Sequence, residues 1–505
     1  MTGTLDITGK QIVSFLRYSL FVIGAAVFAA GAVTSGWNIM FWGMFLFFLS
    51  NIFFGFDSGR TRFIFLFFHV AIFTFLIVRP FILIVQGRSW IWYSKEATWA
   101  ALMMVFLSLL SLRFGAIIGE GIFKRYDNRG ELKPVKEKTE YQQEFRESLA
   151  LVSLVVFLIL IAASFAEGFE KLSFMQDRTY NDYFLSYESS LPGPVLAMAS
   201  MAKYAMCIFL ATLPRKRAAA AVLGIYLLDA VPWFIIGVRN PVILRVIFIV
   251  IYFIFRDVIA SRTGAGGPVK KWIGPFEKAV MIIGTPALVA FMGVYSRIRL
   301  DRSVNTGILG SIGNFFYAQG TSFDTIRAVY NSMDELPSVV PKNYTFGPIT
   351  DYLVHGSIGQ KMFGTMDLGN TNSAIKAIYG SNLAHSAMYT TDRAAYLKGW
   401  GQGSSYVLEN YVDWGYAGVI IFSVILGALL VLLLLMMKKD NTLLRTIAMV
   451  ALLGLFFSPR AEALDWLTFL VYIQFWALII VVYVLAGLVT RTYSYKDKAR
   501  FVRLT

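Results

Sequence analysis

The chain has 505 residues, of which 57% are hydrophobic, 16% are aromatic and only 15% are charged. Soluble domains are about 25% charged and disordered chains are poor in hydrophobic residues, so the composition excludes both and leaves an integral membrane protein with many helical spans. In such a protein a net charge of +15 indicates basic cytoplasmic loops rather than nucleic-acid binding, and a single cysteine excludes a disulfide framework.

Twelve apolar stretches are long enough, or nearly long enough, to cross a hydrocarbon core of about 30 Å as helices. The first follows an N-terminus without a small-residue cleavage site, so we interpret it as a span and not as a removable signal peptide. The predicted spans cover residues 12–34, 38–54, 63–86, 97–119, 148–166, 193–213, 218–237, 242–256, 278–296, 412–437, 443–459 and 465–489. The predicted fold class is therefore an all-α polytopic membrane protein.

The basic residues of the connecting segments indicate the topology. If the N-terminus is cytoplasmic, the inner segments carry 26 Lys and Arg residues and the short outer loops carry six, which follows the known enrichment of cytoplasmic loops in basic residues. An even number of spans with both termini in the cytoplasm is thus predicted. The predicted organisation is nine spans in 1–296 with a cytoplasmic loop at 120–147, an extracytoplasmic region at 297–411, three spans in 412–489 and a basic cytoplasmic tail at 490–505.

Two opposite charges lie inside the sixth and seventh predicted spans. Lys203 lies 13 residues before Lys216, at the centre of the intervening turn, and Asp229 lies 13 residues after it. Antiparallel helices rise 1.5 Å per residue, so both side chains reach the same depth, about 20 Å from that turn. We therefore predict a Lys203–Asp229 ion pair facing the bundle interior, because buried charges must pair. A structural role is the simpler interpretation, and lining of a polar cavity is the alternative.

Arginines on the outer side of this topology are candidates for binding an anionic ligand. Arg239 lies in the outer turn GVRNP, and Arg245 follows on the eighth span, about 9 Å further along the helix. Arg297, Arg299 and Arg302 follow the ninth span. The guanidinium group is always charged and offers phosphate a planar fork of donors. The alternatives are snorkelling of Arg245 to the interface and, for the three later arginines, a solvated charged rim.

The outer region 297–411 contains similar numbers of basic and acidic residues. Loops longer than about 15 residues without structure of their own are uncommon, so we expect a folded cap with short helices. Apolar residues at helical spacing in TSFDTIRAVYNSM predict one helix over 321–333. His355 is a candidate acid–base group here because imidazole titrates near neutral pH, and a packed or solvated loop histidine is the alternative.

The stretch with the most polar side chains precedes the tenth span. It runs from Trp400 to Gly418 and reads WGQGSSYVLENYVDWGYAG. Its glycine- and serine-rich start allows backbone to approach a ligand closely, and helical spacing brings Ser405, Glu409 and Asp413 onto one face. A carboxylate at this place can act as a general base or bind sugar hydroxyls.

This stretch resembles the G-x-S-x-x-x-E-x-Y-x-x-x-G-x-x-G pattern of Wzy-type repeat-unit polymerases, the membrane enzymes that polymerise O-antigen, capsule or exopolysaccharide. The matching residues are Gly403, Ser405, Glu409, Tyr411, Gly415 and Gly418. The Gly237-x-Arg239 turn and the layout of twelve spans with one large outer region are also similar to this family.

The resemblance implies a GT-C-like fold and glycosyl transfer, without a metal or other cofactor, on the outer face of the bacterial plasma (inner) membrane. The donor would be a growing glycan on undecaprenyl pyrophosphate, and the acceptor would be the terminal sugar of a newly flipped, lipid-linked repeat unit. The predicted catalytic residues are Glu409, Arg239 and His355. The predicted pyrophosphate ligands are Arg239, Arg245, Arg297, Arg299 and Arg302, and the predicted glycan ligands are Trp400, Ser404, Ser405, Tyr411 and Asp413.

Two other functions stay open at this point. A glycan ligase would use the same lipid-linked donor with a different acceptor, and a flippase would move the lipid-linked glycan without chemistry. The lack of internal repeats and the large outer region argue against a transporter. The expected partners are the lipid-linked glycan and the bilayer, with a chain-length regulator and a flippase as further candidates and no nucleic acid. Glu462 is considered only as a salt-bridge partner of Arg460.

Overall fold

The computed structural model describes residues 3–129, 140–263, 271–299 and 307–492. Helices and short connections make up these ranges, and no strand occurs within them. Together with the apolar helices of membrane-spanning length, this confirms the all-α polytopic fold class. Arg302 lies outside the described residues, as does most of the basic tail.

The helices of the first part of the chain are mostly long. They are α1 (Gly3–Val33), α2 (Trp37–Asp57), α3 (Gly59–Ile72), α4 (Val78–Val85), α5 (Lys95–Asn128), α6 (Glu140–Phe174), α7 (Tyr180–Ser186), α8 (Gly193–Ala211), α9 (Lys216–Leu228), α10 (Val231–Ile236), α11 (Asn240–Thr263), α12 (Pro275–Ala279) and α13 (Thr285–Arg299). π-Helical segments at Phe73–Ile77 and Val280–Gly284 join α3 to α4 and α12 to α13, so each of these pairs continues as one helical rod.

Seven short helices precede the last three long ones. They are α14 (Ile308–Gln319), α15 (Ser322–Asn331), α16 (Gly347–His355), α17 (Ser357–Phe363), α18 (Ala374–Tyr379), α19 (Leu383–Thr391) and α20 (Arg393–Tyr396). The chain continues with α21 (Tyr406–Lys438), α22 (Thr442–Leu455) and α23 (Ile473–Thr492). Short 3₁₀ helices occur at Met333–Glu335 and Asp465–Leu470.

Within the described ranges, ten helical stretches are long and apolar enough to cross a membrane. They are Gln11–Val33, Trp37–Asp57, Thr61–Val85, Lys95–Asn128, Glu140–Phe174, Gly193–Ala211, Lys216–Ile236, Pro275–Tyr295, Tyr406–Lys438 and Ile473–Thr492. The two remaining predicted spans are helical too, as α11 and as the shorter apolar helix α22. The chain is therefore a multi-pass membrane protein, and the count of twelve spans stays a prediction.

The chain forms two compact units, each assembled from segments that are distant in sequence. Unit 1 comprises Met1–Lys124, Ile282–Leu432 and Leu455–Asp465, and unit 2 comprises Arg125–Met281, Leu433–Gly454 and Trp466–Thr505. All described residues of the predicted outer region 297–411 belong to unit 1.

In unit 1, helix α21 packs directly against α5. A Cβ atom added at Gly115 would lie 1.9 Å from the carbonyl oxygen of Val424, so the two backbones are in contact. Such approach through glycine is typical of helix pairs in membranes, where small residues replace the hydrophobic effect as the basis of packing. The hydroxyl oxygen of Ser108 lies 2.7 Å from that of Tyr406 and 2.9 Å from that of Ser423. These hydrogen bonds fix the register of α21, which carries the candidate site.

A buried arginine on α15 joins this short helix to the segment before α5. Arg327 is only 1% exposed, forms an ion pair with Asp324 and donates a hydrogen bond to the carbonyl oxygen of Trp90 at 2.7 Å. Four aromatic rings lie 5.0–5.8 Å from its guanidinium carbon: Trp90, Trp92, Tyr93 and Phe323. The helix predicted over 321–333 is present as α15, and Arg327 anchors it to the segment before α5.

Buried arginines in unit 2 bind helix C-termini. Arg445 is 3% exposed and donates to the carbonyl oxygens of Ala211 and Met437 at 2.5 and 2.9 Å. Arg146 donates to the carbonyl oxygen of Thr212 at 2.7 Å. The last carbonyls of a helix have no partner within the helix, so a cation there supplies missing hydrogen bonds and offsets the negative end of the dipole. Some of the basic residues counted for topology therefore also cap helices.

Candidate functional site

The glycines that match the family pattern are required by the backbone around Glu409. Helix α21 contains a break at Trp414 and Gly415, and Gly415 has φ 62° and ψ −154°, a region open essentially only to glycine. Gly403 has φ 78°, which also favours glycine. At Gly418 a Cβ atom would lie 2.5 Å from the carbonyl oxygen of Asn410. The glycines of the pattern therefore allow the backbone conformations and the close backbone contact that this segment has.

Glu409 lies in the first turn of α21 and has an exposed fraction of 0%. Its Oε1 accepts a hydrogen bond from the Ser404 hydroxyl at 2.7 Å, and its Oε2 accepts one from the backbone N–H of Ala463 at 2.7 Å. The protein therefore occupies both oxygens of this carboxylate. Glu409 therefore connects the start of α21 to the turn after α22 through hydrogen bonds. Its role in catalysis stays a prediction.

The two other members of the predicted helical face also bind the backbone. Ser405 is fully buried, and its hydroxyl accepts a hydrogen bond from the N–H of Val407 at 3.3 Å. The carboxylate of Asp413 accepts hydrogen bonds from the N–H groups of Tyr344 and Thr345 at 3.0 and 2.7 Å. The sequence placed Ser405 and Asp413 on a ligand-lining face. In the structure the Ser405 contact is local to the start of α21, whereas the Asp413 contacts join α21 to the segment before α16. Glycan binding by either residue stays a prediction.

Glu462 is a carboxylate that sequence reasoning missed as a site residue. It directly precedes Ala463, whose N–H binds Glu409, and its own side chain is half-buried. Its Oε1 accepts a hydrogen bond from the side-chain amide of Asn382, at the start of α19. The sequence suggested the neighbouring Arg460 as an ion-pair partner of Glu462. In the structure Arg460 donates a hydrogen bond to the carbonyl oxygen of Gln319 at 3.0 Å. No local signal links Glu462 to Asn382, because 80 residues separate them.

The surroundings of Glu462 move its titration close to neutral pH. Burial raises the pKa of Glu462 to about 8, the negative charges of Asp465 and Asp351 add to the shift, and the positive charge of Lys376 opposes it. Groups with such pKa values are enriched at functional sites, because proton transfer is most effective when the pKa lies near the working pH. We refer below to four carboxylates of unit 1 as the acidic cluster: Glu409, Glu462, Asp351 and Asp413.

Two lysines accompany the acidic cluster. Lys342 donates hydrogen bonds to the carbonyl oxygen of Ala377 at 2.9 Å and to the Ser386 hydroxyl at 3.1 Å. Burial lowers its pKa to about 8, against the opposing charge of Asp351. Burial also lowers the pKa of Lys376. The site therefore holds cationic and acidic groups that are both partly desolvated.

The two histidines of the predicted outer region differ in what they contact. His355 is half-buried at the C-terminus of α16, and its Nδ1 lies 2.9 Å from the carbonyl oxygen of Met366. The Nδ1 of His385 lies 3.0 Å from the hydroxyl of Tyr396. Burial, with a smaller effect from the charge of Lys376, lowers the pKa of His385 to about 3, so this ring is neutral at physiological pH. His355 is therefore the better candidate for proton transfer.

The two aromatic residues predicted to bind glycan are placed differently. Trp400 is 55% exposed, and its carbonyl oxygen accepts a hydrogen bond from the side chain of Asn372 at 3.0 Å. Tyr411 packs among tyrosines, with its ring 4.9 Å from that of Tyr416 and 6.0 Å from that of Tyr330. Trp400 thus offers an open ring face, whereas Tyr411 contributes to a tyrosine cluster.

Four of the predicted residues belong to unit 2: Lys203, Asp229, Arg239 and Arg245. Arg245 forms an ion pair with Asp229 at 2.9 Å and also lies over the ring of Tyr226, so Arg245 is the ion-pair partner that the structure shows for Asp229. The predicted pair between Asp229 and Lys203 stays a prediction, and Lys203 Nζ lies 5.2 Å from the ring centre of Tyr204. Helix α9 ends just before Asp229, and Pro232 at the start of α10 lacks the backbone N–H that a continuous helix needs, so the predicted seventh span is interrupted here.

The remaining predicted pyrophosphate ligands are only partly described. Arg239 lies between α10 and α11. It follows Gly237 by two residues, and Gly237 has a left-handed backbone conformation. Arg297 and Arg299 lie in the last turns of α13, and their side chains are not among the described ones. Among the side chains that are described, no three His, Cys, Asp or Glu residues are grouped as a metal site requires.

Comparison with known proteins places this architecture in a family. A family model described as "O-antigen polysaccharide polymerase Wzy" matches residues 12–492, which is nearly the whole chain. No curated protein and no solved structure matches the chain. The match covers both units, the α21 segment with its backbone-required glycines and the acidic cluster. The chain therefore belongs to the O-antigen polysaccharide polymerase Wzy family.

Proposed function

We propose that this protein polymerises undecaprenyl-pyrophosphate-linked oligosaccharide repeat units into a surface polysaccharide on the outer face of the bacterial plasma membrane. The observation that carries the proposal is the family match over residues 12–492. Membership of the family supports repeat-unit polymerisation, and the lipid-linked donor and the outer-face location are the finer parts of the proposal. The growing glycan would leave its lipid pyrophosphate and form a glycosidic bond to a hydroxyl of the next repeat unit.

The leaving group sets the first chemical requirement. A pyrophosphate that departs from a sugar carbon gains negative charge, and fixed cations stabilise that charge in the transition state. Arg239, Arg297, Arg299 and Arg302 are the proposed donors for this group. Arg245 is a weaker candidate than the sequence suggested, because its guanidinium already pairs with Asp229.

The attacking hydroxyl sets the second requirement, because it must lose its proton as the bond forms. We propose Glu462 as the proton acceptor, since it is half-buried rather than fully buried and its pKa of about 8 lies near the working pH. Glu409 would then position it, because Glu409 binds the N–H of the adjacent Ala463. His355 and Asp413 are the alternative acceptors.

The proposal is tested with purified protein and lipid-linked repeat units, whose polymerisation gives a ladder on a gel. We expect Glu462→Gln to slow ladder formation at least about a hundredfold and to remove the rise in rate as pH increases through about 8. Glu409→Gln should slow the reaction but keep that rise, since it alters the position of Glu462 and not its proton. A normal ladder and an unchanged pH profile for Glu462→Gln would exclude this residue and leave His355 or Asp413 as the acceptor.

The arginine assignment has its own variant and control. Arg239→Ala should reduce polymerisation about a hundredfold, as expected for loss of one donor to a developing anion. The control Arg88→Ala removes an exposed arginine from a different loop and should polymerise at the wild-type rate. Equal rates for Arg239→Ala and Arg88→Ala would contradict the assignment.

Gene deletion separates the proposed polymerase from the two alternatives. Loss of a polymerase leaves single repeat units on the surface, because each unit is still flipped and attached. Loss of a ligase retains long chains on the lipid carrier, and loss of a flippase accumulates repeat units on the inner face. Either of the last two results would overturn the proposed function.

A further inference from the structure

Unit 1 contains an open cavity of about 430 Å³ that none of the predicted site residues lines. Its walls come from the segment before α5, from the C-terminal ends of α15 and α19 and from the loop before α21. Its polar walls include Tyr93, Asn331, Glu335, Thr391, Asp392 and Gln402. A volume of this size lies within the range of small-ligand pockets, about 300–1,000 Å³.

The lining has the chemistry of a site for a neutral, hydroxyl-rich ligand. Amides, hydroxyls and one aromatic ring dominate it, and these groups can both donate and accept hydrogen bonds. The described residues that line it include two carboxylates, Glu335 and Asp392, and no lysine or arginine. An anionic group such as pyrophosphate would therefore meet like charge here, whereas sugar hydroxyls would find acceptors.

The walls of the cavity are held in place by contacts behind them. The ring of Tyr93 lies 5.0 Å from the guanidinium carbon of the buried Arg327. The side-chain oxygen of Asn331 accepts a hydrogen bond from the Ser94 hydroxyl at 2.7 Å. Asp392 caps α20 by accepting a hydrogen bond from the N–H of Ala395 at 2.9 Å. A pocket with fixed polar groups can bind a ligand without ordering its own side chains first.

One wall residue has an unused hydrogen-bond donor. The side-chain nitrogen Nε2 of Gln402 is buried and has no acceptor within the described part of the chain, although the Oε1 of the same side chain lies 3.4 Å from the Thr391 hydroxyl. Buried side-chain polar atoms are in most cases hydrogen-bonded, so each exception calls for an explanation. A ligand hydroxyl in the cavity would supply the acceptor once the Gln402 amide turns toward it.

The cavity is linked by short stretches of chain to the acidic cluster. Gln402 precedes Ser404, which binds Glu409, by two residues, so their Cα atoms are at most about 7 Å apart. Helix α19 begins after Asn382, which binds Glu462, and ends at Thr391 in the cavity wall, about 13 Å along the helix. An extended oligosaccharide can cover such a distance.

We infer that this cavity binds neutral sugar residues of the lipid-linked glycan, away from its pyrophosphate, and so sets the position of the chain relative to the acidic cluster. The inference rests on the proposed function for the identity of the ligand. It assigns a glycan subsite to Tyr93, Asn331, Thr391 and Gln402, of which the sequence analysis named none.

The test measures direct binding and does not require polymerisation. The probe is the repeat-unit oligosaccharide released from its lipid by mild acid and treated with phosphatase, titrated into the purified full-length protein in detergent. Gln402→Leu nearly keeps the size of the side chain, removes the donor and adds no charge, and we expect it to weaken binding about tenfold, as for one lost hydrogen bond to a ligand. A second variant, Glu335→Gln, removes only a charge at an exposed position and should also weaken binding. It keeps the test valid if the first variant fails to fold. The matched control Gln86→Leu changes an exposed glutamine elsewhere in unit 1 and should bind as the wild type does.

The outcomes separate this inference from the proposed function. Wild-type affinity in both cavity variants, or no binding of the oligosaccharide to the wild type, would overturn the subsite even if the protein polymerises. Weakened binding in the variants would support the subsite even if ladder formation failed and the proposed polymerase activity had to be given up.

Discussion

At the scale of single residues, Gly415 shows why α21 must break where it does. Its φ of 62° and ψ of −154° place the peptide in a conformation that costs a residue with a side chain about 1–3 kcal/mol. The break redirects α21 just after Asp413, whose carboxylate binds two backbone N–H groups. The glycine is therefore part of the geometry that holds the acidic cluster.

We expect Gly415→Ala to lower the free energy of unfolding by about 1–3 kcal/mol, because the alanine Cβ is disfavoured in this conformation. Thermal unfolding of the purified protein in detergent measures this. The control Gly313→Ala places a Cβ in open space on α14, where alanine is the better helix former, and should not lower the melting temperature. Equal melting temperatures for Gly415→Ala and the wild type would show that the break is not required.

Glu462 gives the second prediction at this scale, which concerns the pH dependence of stability. Its pKa of about 8 in the fold lies above the ordinary value of 4.5, so the folded protein binds more protons than the unfolded chain between these two values. Its contribution to stability must then decrease as pH rises from about 4.5 to about 8 and stay constant above that. Glu462→Gln should remove this decrease.

The measurement is the denaturation midpoint of the two proteins across that pH range. The difference between wild type and variant isolates Glu462 from the other titrating groups. The exposed control Asp334→Asn should keep the wild-type slope. A wild-type slope in Glu462→Gln would mean that this carboxylate is ionised at neutral pH.

At the scale of elements, the crossing of α5 and α21 decides where the candidate site lies in unit 1. The approach depends on a glycine backbone, since a Cβ at Gly115 would lie 1.9 Å from the carbonyl oxygen of Val424. The hydrogen bonds that the Ser108 hydroxyl shares with the hydroxyls of Tyr406 and Ser423 then set the register. Displacement of α21 along this crossing would carry Glu409 away from Ala463.

Gly115→Ala should therefore destabilise the protein by about 1–3 kcal/mol through overpacking, and it should reduce polymerisation because α21 shifts. The same helix supplies the control, since a Cβ at Gly121 meets no atom within 4 Å. Gly121→Ala should leave both stability and ladder formation at wild-type values. If Gly115→Ala behaves like Gly121→Ala in both assays, the close crossing has no role in the site.

At the scale of the whole molecule, the distribution of basic residues predicts which segments are cytoplasmic. Reporter fusions test it, with alkaline phosphatase being active only outside the cytoplasm. We expect activity for a fusion after residue 364 and none for fusions after residues 135 and 505. Activity at residue 505 would show that the C-terminus is outside and that the predicted even number of spans is wrong.

The sequence by itself determined the polytopic all-α class, because spans longer than about 20 apolar residues identify themselves by local composition. It also marked the stretch around Glu409, since the glycines that shape it are close together in the chain. Ten candidate spans confirm the first of these conclusions, and the match over residues 12–492 confirms the family that this stretch resembles, whereas the role of Glu409 stays a prediction.

Only the tertiary structure decided what the polar side chains contact. Helical spacing placed Glu409 and Asp413 on one face, but it could not show that backbone N–H groups from distant segments occupy those carboxylates. The pairing of Asp229 with Arg245 joins the end of α9 to α11, and the pairing of Glu462 with Asn382 joins residues that are 80 apart. Hydrophobic periodicity is a local property of the chain, whereas burial and hydrogen bonding of a charge depend on segments that meet only in the folded protein.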